Sequence, residues 1–385
     1  MKMLRAFTFE ADEPELAVAE ILEQLDLDNN RLAHAVGIVT CHPDFLESGA
    51  LAAVSEALPF DVVGSTSLAS ATEQEMGIEI LTLAVLTSDE VAFTTVLTES
   101  LWDKQEEPIK EAWDKALAAL PERPSLILTY QPMMNHVGGE KLATAISDAS
   151  GGVPLFGTLT CDHNFDFSQA YSICNGKYYK DRLVMVLLNG PVSPSFFHIS
   201  IEVTDQIQQK AVITRSAVNL LQSVNDMPAV EYLASLGLAR DGTIDGTVAI
   251  PFLVDYNDGT QPVCRGVFMV TEEGWAVCGG DVPEGALLST ATLDYDDVMH
   301  TTGKVLDAVT TAAKEGDSLL LVSCNSRSVA LGTEPLGEME LVQKRLGGAL
   351  PYHMLYSGGE ICPVHAEGGG TRNRFHNFSF TACLF

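Results

Sequence analysis

Hydrophobic residues in this chain fall into short unbroken runs separated by stretches with helical spacing. Ala35–Cys41 (AVGIVTC) reads as a strand buried on both faces, because a half-exposed strand would alternate polar and apolar positions. Asp44–Leu58 follows with Leu51, Val54, Ser55 and Leu58 on one helical face. Pro59 ends that helix, Phe60–Val63 opens a second strand, and Gly64-Ser65-Thr66-Ser67 reads as a loop before a third strand, Ile78–Leu86. The order returns with strand Ser125–Tyr130, helix Gly139–Ala149 stopped by Gly151-Gly152, and Val153–Phe156 leading into Gly157–Asn164. Tyr171–Cys174, Asn175-Gly176 and Lys177–Leu188 then read as a hairpin, Asn-Gly being a strong type I′ signal. A third copy runs through strand Ser318–Cys324, a helix carrying Leu336, Met339, Val342 and Leu346, the stop Gly347-Gly348, and Leu350–Tyr356 with its loop Ser357–Ile361. Phe375–Phe385 closes it as one final strand.

Three β-α-β-β units with matching stops predict an α/β protein of β-sheets flanked by helices. The segment between the second and third units differs. Ala211–Ser216 and Asn219–Val224 read as strands, and Met227–Leu236 as a helix opened by Pro228. Thr247–Val254, Val263–Val270 and Trp275–Gly279 read as a meander with turns at Asp258-Gly259 and Glu273-Gly274, followed by an amphipathic helix, Val298–Ala313. A boundary near Asn225 divides the chain into two packed domains, 1–225 and 226–385. Trp102 and Trp113, with Ile109, Ala116, Leu117 and Leu120, line one face of a helix over Lys104–Leu120, which serves core packing or, alternatively, a partner.

Composition narrows the function. The chain has 385 residues with 22 Lys+Arg against 52 Asp+Glu, a formal charge of −30 that repels phosphate backbones and anionic lipid; nucleic-acid and membrane-surface partners are not expected. Met1–Glu15 lacks the apolar core of a signal peptide, and no apolar run approaches the roughly 20 residues that span a bilayer. The eight cysteines contain no CxxC pair and read as reduced thiols, which points to the cytoplasm. The nine histidines show neither HxxxH nor HExxH, so no metal site is expected. GxGxxG, Walker A and GxSxG are also absent, and no cofactor is expected.

Laid out in order, the pieces resemble the FIST family of paired FIST-N and FIST-C sensory domains. The N-terminal half matches in Val63–Thr66, in Phe156–Asp162 and in the Asn-Gly hairpin. The C-terminal half matches in Asp226-Met227-Pro228-Ala229, Val282-Pro283-Glu284-Gly285, Cys324-Asn325-Ser326-Arg327, Gly359-Glu360-Ile361 and Arg374-Phe375-His376-Asn377, the last preceded by a Gly-rich Glu367–Gly370 stretch. The resemblance implies that 1–225 is FIST-N-like and 226–385 FIST-C-like. It further implies a small-ligand sensor, with amino acids as the proposed ligands, that signals through a separate partner.

In open α/β sheets, ligands bind beyond the carboxyl ends of strands, where small residues let them approach the main chain. That places Ser65 and Thr66, then Thr160, Asp162 and His163, then Gly359 and Glu360 in three equivalent loops. Arg327 follows the strand ending at Cys324, and a guanidinium there can grip a carboxylate with two parallel hydrogen bonds. Arg374, beside Asn377, offers the same chemistry, while Glu360 or Asp162 can receive an ammonium; one Arg and one acid suit an amino acid. Two other readings stay open. One is an enzyme using Cys161, Cys324 or Cys362 as nucleophile; Cys161 and His163 cannot pair with each other along an extended chain, so His163 would need a cysteine from another loop, such as Cys362. The other is a protein-interaction module.

Overall fold

The computed structural model describes residues 1–385 apart from 135, 165, 203–209, 241, 245–249 and 368. It is a mixed α/β protein with four sheets. Three of them have six strands each and the same internal order. In the first, Lys2–Thr8, Leu81–Ser88, His34–Cys41 and Val62–Thr66 lie side by side. The second sets Ala92–Leu97, Val184–Asn189, Leu126–Gln131 and Leu155–Leu159 in the same places. The third uses Ser195–Ile199, Phe380–Leu384, Leu319–Cys324 and Tyr352–Ser357. In every case the last two strands are parallel and the other pairs antiparallel. The repeat is therefore longer than β-α-β-β: each unit has a leading strand, followed by a helix at Pro14–Leu25, Glu106–Leu117 or Tyr295–Ala312.

Each sheet is completed by a hairpin from a different unit. Ser172–Cys174 and Lys177–Tyr179, from the second unit, add to Val62–Thr66 of the first. Gly359–His365 and Thr371–His376, from the third, add to Leu155–Leu159 of the second. Ser70–Thr72 and Met76–Gly77, from the first, add to Tyr352–Ser357 of the third. The exchange closes a ring of three units. One face of every sheet packs into a shared centre that includes Ile38 and Leu86, Leu128 and Val186, and Val322 and Leu355. The opposite faces pack beneath the units' own helices. Burial on both faces is why these strands read as continuous apolar runs.

The intervening segment forms a barrel inserted between Ser195–Ile199 and the helix Tyr295–Ala312. Strands Lys210–Ala217, Leu287–Thr290, Ile250–Asp255, Val263–Val270, Ala276–Cys278 and Leu220–Val224 pair in that order, and the last pairs back to the first. Tyr232 and Leu233, from helix Ala229–Ser235, join its apolar core. Of the expected strand Thr247–Val254, residues 247–249 lie outside the described residues, as does residue 368 of the Gly-rich stretch. Asn225 sits in a tight turn between Leu220–Val224 and Met227–Pro228, with barrel strands on both sides of it in sequence.

Several elements differ from the sequence reading. The helix over Asp44–Leu58 breaks into Asp44–Glu47 and Ala50–Ala57, because Gly49 takes a left-handed φ of 86°. Lys177–Leu188 divides into two strands that belong to different sheets. Phe375–Phe385 is interrupted at Phe378, whose φ of 56° turns the chain from the second sheet into the third. The Lys104–Leu120 helix is shorter, Glu106–Leu117, with Ile109 and Trp113 in the core and Trp102 outside it, 56% exposed against His136.

Gly64 and Gly157 are not in loops. They lie within the parallel strands opposite Val39 and Thr129, where a Cβ would run into the carbonyl oxygens of those residues. The third unit places Tyr356 at the corresponding position, opposite Ser323. Gly157→Ala is expected to lower the free energy of unfolding by roughly 3 kcal/mol, the upper end of overpacking costs, since the obstacle is backbone in a paired strand. Gly152→Ala meets open space at a φ of 83° and should cost only about 1 kcal/mol. Urea denaturation of the two variants checks this, and equal losses would contradict it.

Candidate functional site

Because the hairpins cross between units, the three strand ends meet. Thr66 Oγ1 donates to the Cys161 carbonyl at 2.8 Å, and Ser67 Oγ lies 2.8 Å from the Tyr356 carbonyl. Thr158 Oγ1 donates to Ser357 Oγ at 2.7 Å, and Gly358 N to Leu159 O at 2.9 Å. Thr160 Oγ1 accepts from Met133 N at 3.1 Å, and Cys161 Sγ approaches the Tyr356 carbonyl at 3.3 Å. Ser65, Thr66, Thr160 and Gly359 are thus brought to one buried junction, where most of their polar atoms bond to one another. Ser65 Oγ is an exception, with no partner among the described residues.

Asp162 is buried and its two oxygens accept from Asn164 N (3.0 Å) and Gln169 N (2.8 Å), so it shapes its own loop. His163 stacks against His42 at 4.4 Å between ring centroids, and its Nδ1 has no partner among the described residues. Burial pushes the His42 imidazole below its ordinary range, partly offset by Asp44.

Glu360 is the acid of this junction. It is fully buried, and its Oε2 accepts from Ser379 N at 3.2 Å and Ser379 Oγ at 2.6 Å. Its Oε1 has no hydrogen-bond partner among the described residues. Burial pushes the carboxyl up to about 8, against the pull of the Ser379 bonds, Arg327 and the neighbouring Cys324 thiol. Two positions next in sequence to neighbours of Glu360 show the same deficit: Asn377 Oδ1 and Asn325 Nδ2 are buried without partners among the described residues. Asn377 follows His376, which lies opposite Glu360 in the ladder; Asn325 follows Cys324. An unpaired buried polar atom costs about 1–3 kcal/mol, so Glu360 and the two amides that follow its neighbours in sequence carry an unmet demand for hydrogen bonds.

The arginines do not play the expected part. Arg327 is fully buried and committed to the protein: Nε and Nη2 donate to Glu338 Oε1 at 3.0 and 2.7 Å, Nη2 also to Val298 O, Thr301 and Thr302, and Nη1 to Phe378 O at 3.3 Å. It therefore cannot present a fork to a ligand carboxylate; it holds the turn that carries Asn377 and Ser379. Arg374 lies apart from the three strand ends, paired with Asp258, 3.8 Å from Glu140 and over the Tyr256 ring. Its neighbour Arg265, missed in the sequence, is fully buried and donates to Glu140 (2.7 Å), Tyr256 and the Phe375 carbonyl (3.0 Å), fastening the barrel to the second and third units. All eight cysteines are buried, and burial pushes each thiol upward, Cys161 to about 12; a nucleophilic thiolate needs the reverse.

Ser379, Ser357 and Glu338 also escaped the sequence reading. Only Ser357, beside Gly358-Gly359, carried a signal there. Arg327→Ala is expected to cost about 3–5 kcal/mol of stability by stranding the Glu338 carboxylate, whereas Arg327→Met with Glu338→Leu should lose far less. Chemical denaturation of the single and double variants measures the difference, and a single-variant loss below about 1 kcal/mol would show that the pair is not structural.

Among the described residues no helix is long and apolar enough to cross a membrane. Of curated proteins, none matches this chain. Among solved structures, it is similar to a cyanuric acid hydrolase from A. caulinodans, with 10% identity, a TM-score of 0.37, and coverage of 100% of this chain and 98% of that one. At that distance the likeness says nothing of this chain's chemistry. The family model of the FIST N domain matches residues 35–227 and that of the FIST C domain residues 206–363. The chain belongs to the FIST family.

Proposed function

We propose that this FIST protein is a sensor for a small ligand with a primary ammonium group, an amino acid in the first instance, held at Glu360, and that it signals through a separate partner. The observation that carries the reading is the fully buried Glu360 carboxyl with one oxygen unpartnered. Orphaned acceptors at Glu360 Oε1 and Asn377 Oδ1 call for a donor, which an ammonium supplies. A charge-assisted bond to a carboxylate shielded from water is among the stronger polar contacts available. Recognition through a carboxylate alone has weaker support, since Arg327 and Arg374 are already engaged with Glu338, Asp258 and Glu140. The ligand's own carboxylate then has the orphaned Asn325 amide as its donor.

Thermal-shift measurements test this. At least one amino acid in a standard panel should raise Tm in a concentration-dependent way, its N-acetyl derivative and the corresponding carboxylic acid should not, and Glu360→Gln should abolish the shift. A response to simple carboxylates that survives in Glu360→Gln would overturn the reading.

The proton on Glu360 gives a second test. Its carboxyl sits near 8 in the folded protein against about 4.5 unfolded, so between those values the native state binds more protons. That group's contribution to stability is present at low pH and lost as pH rises through this window. Glu360→Gln should be relatively more stable at pH 8 than at pH 5, compared with the unmodified protein. Binding an ammonium favours the ionised carboxyl, so the ligand should bind more tightly at pH 8 than at pH 6 and release a proton near neutrality. Calorimetry in buffers of different ionisation enthalpy reads that proton.

A further inference from the structure

The barrel faces the Glu360 junction through a strand that is irregular at one residue. In Val263–Val270 the pairing with Ala276–Cys278 steps from Val267 opposite Cys278 to Met269 opposite Val277, leaving Phe268 as the extra residue of a β-bulge. Bulges re-aim side chains, and they recur beside functional sites. Phe268 is 43% exposed as a residue, and its ring edge approaches Gly279. A Cβ at position 279 would lie 2.7 Å from Phe268 Cε2 and equally 2.7 Å from Asn377 Oδ1, so the ring edge and the unpartnered amide oxygen converge on the same spot. Glycine at 279 is what lets them meet. On either side of this seam lie Cys264, whose thiol feels the Glu360 charge, and Phe378, packed against Cys264 and Leu253.

We propose that Phe268 is the cover of the Glu360 site: its ring closes the seam between barrel and third unit, and a ligand enters by displacing it. The inference rests on Glu360 being the binding group. Phe268 is half-exposed and is the unpaired residue of the bulge, so its side chain can turn on a backbone that the barrel ladder holds on either side. A single rotation therefore opens the seam without moving a strand. Once an ammonium sits on Glu360 and Asn377, a ring that turns from edge-on to face-on as it returns over the site presents its negative face to the cation, a further attraction for this ligand class. Phe268 is a specificity-determining residue in this arrangement: it limits the size of the ligand and favours a cationic group over a neutral isostere.

Access to the buried thiols reports on the cover without any ligand. The full chain is treated briefly with methyl methanethiosulfonate under native conditions, and modification at each cysteine is quantified by mass spectrometry. Phe268→Ala should raise labelling of Cys264 and Cys324, the thiols beside Glu360, about tenfold relative to Cys41 and Cys383 elsewhere in the core, as expected when one local opening becomes easier. Phe268→Trp should not raise it. Equal acceleration at all four cysteines, or none at any, would overturn the proposal. The amino-acid panel on Glu360→Gln separates the two claims. If the thermal shift disappears in Glu360→Gln while Phe268→Ala leaves labelling unchanged, only the cover is wrong. If labelling responds to Phe268→Ala but the shift persists in Glu360→Gln, the seam opens as described and the binding group has been misassigned.

Discussion

The exchange of hairpins between sheets is the constraint from which the rest of the molecule follows. A sheet buried on both faces has its apolar surface covered, but its last strand still offers an unpaired edge. Here each unit fills that edge with a hairpin from another, so no unit completes its sheet alone. The chain that leaves a strand end must therefore run directly across to the next unit, and the three strand ends are drawn together by backbone pairing, not by side-chain affinity. The convergence of Thr66, Leu159 and Ser357 follows from this topology. It also explains why that junction is buried and polar at once: the crossing backbones bring carbonyls and hydroxyls into the interior, where most of them find partners.

Two buried ion pairs stabilise this frame from either side of the Glu360 hairpin. Arg265, paired with Glu140, donates to the Phe375 carbonyl, while Arg327, paired with Glu338, donates to that of Phe378. Between these two anchor points lie only His376 and Asn377. In a chain with formal charge −30, a buried guanidinium has acids in abundance, and the two that are used come from helices, Gly139–Ser150 and Gly337–Leu346. Each arginine thus links a helix of one layer to the backbone of the strand that carries the site. Desolvation makes such pairs poor sources of net stability, and their contribution here is positional.

The fold was legible wherever burial on both faces imposed a continuous apolar run. The runs at Ala35–Cys41, Ser125–Tyr130 and Ser318–Cys324 each fall on the first strand of a parallel pair, and Gly151-Gly152 and Gly347-Gly348 end their helices as expected. The exchanged hairpins were less legible because pieces such as Ser70–Thr72 and Ser172–Cys174 are three residues long and take their hydrogen bonds from a distant unit. Gly64 and Gly157 looked like loop residues because local sequence does not show a carbonyl pressing on a strand from the next one. The site was half visible. Glu360 and Asn377 could be picked out, but the role of Arg327 depended on Glu338, eleven residues on and a helix away, and no local spacing announces such a partner.

The Glu360 carboxyl is where these features meet in opposition. The exchange forces it into the interior, and the ladder places it across from His376, itself held neutral by burial. Arg327 is already engaged with Glu338 and lowers Glu360 only as a secondary influence. A carboxyl so placed is costly to ionise and has too few donors once ionised; Ser379 satisfies one oxygen, the other has no hydrogen-bond partner among the described residues, and the neighbouring Cys324 thiol is only a weak donor. An amide in its place would relieve that cost and still accept from Ser379, whereas an aliphatic side chain would leave the Ser379 donors unpaired. The strained turn at Phe378, the anchors at Phe375 and Phe378, and the bulge that sets an aromatic ring over Gly279 all bear on the segment His376–Ser379, which pairs with Glu360 and bonds it. At the corresponding strand ends Thr66 and Thr158 are satisfied and Ser65 Oγ is not, so what sets Glu360 apart is that its unmet demand falls on an ionisable group, for which burial costs far more than for a hydroxyl.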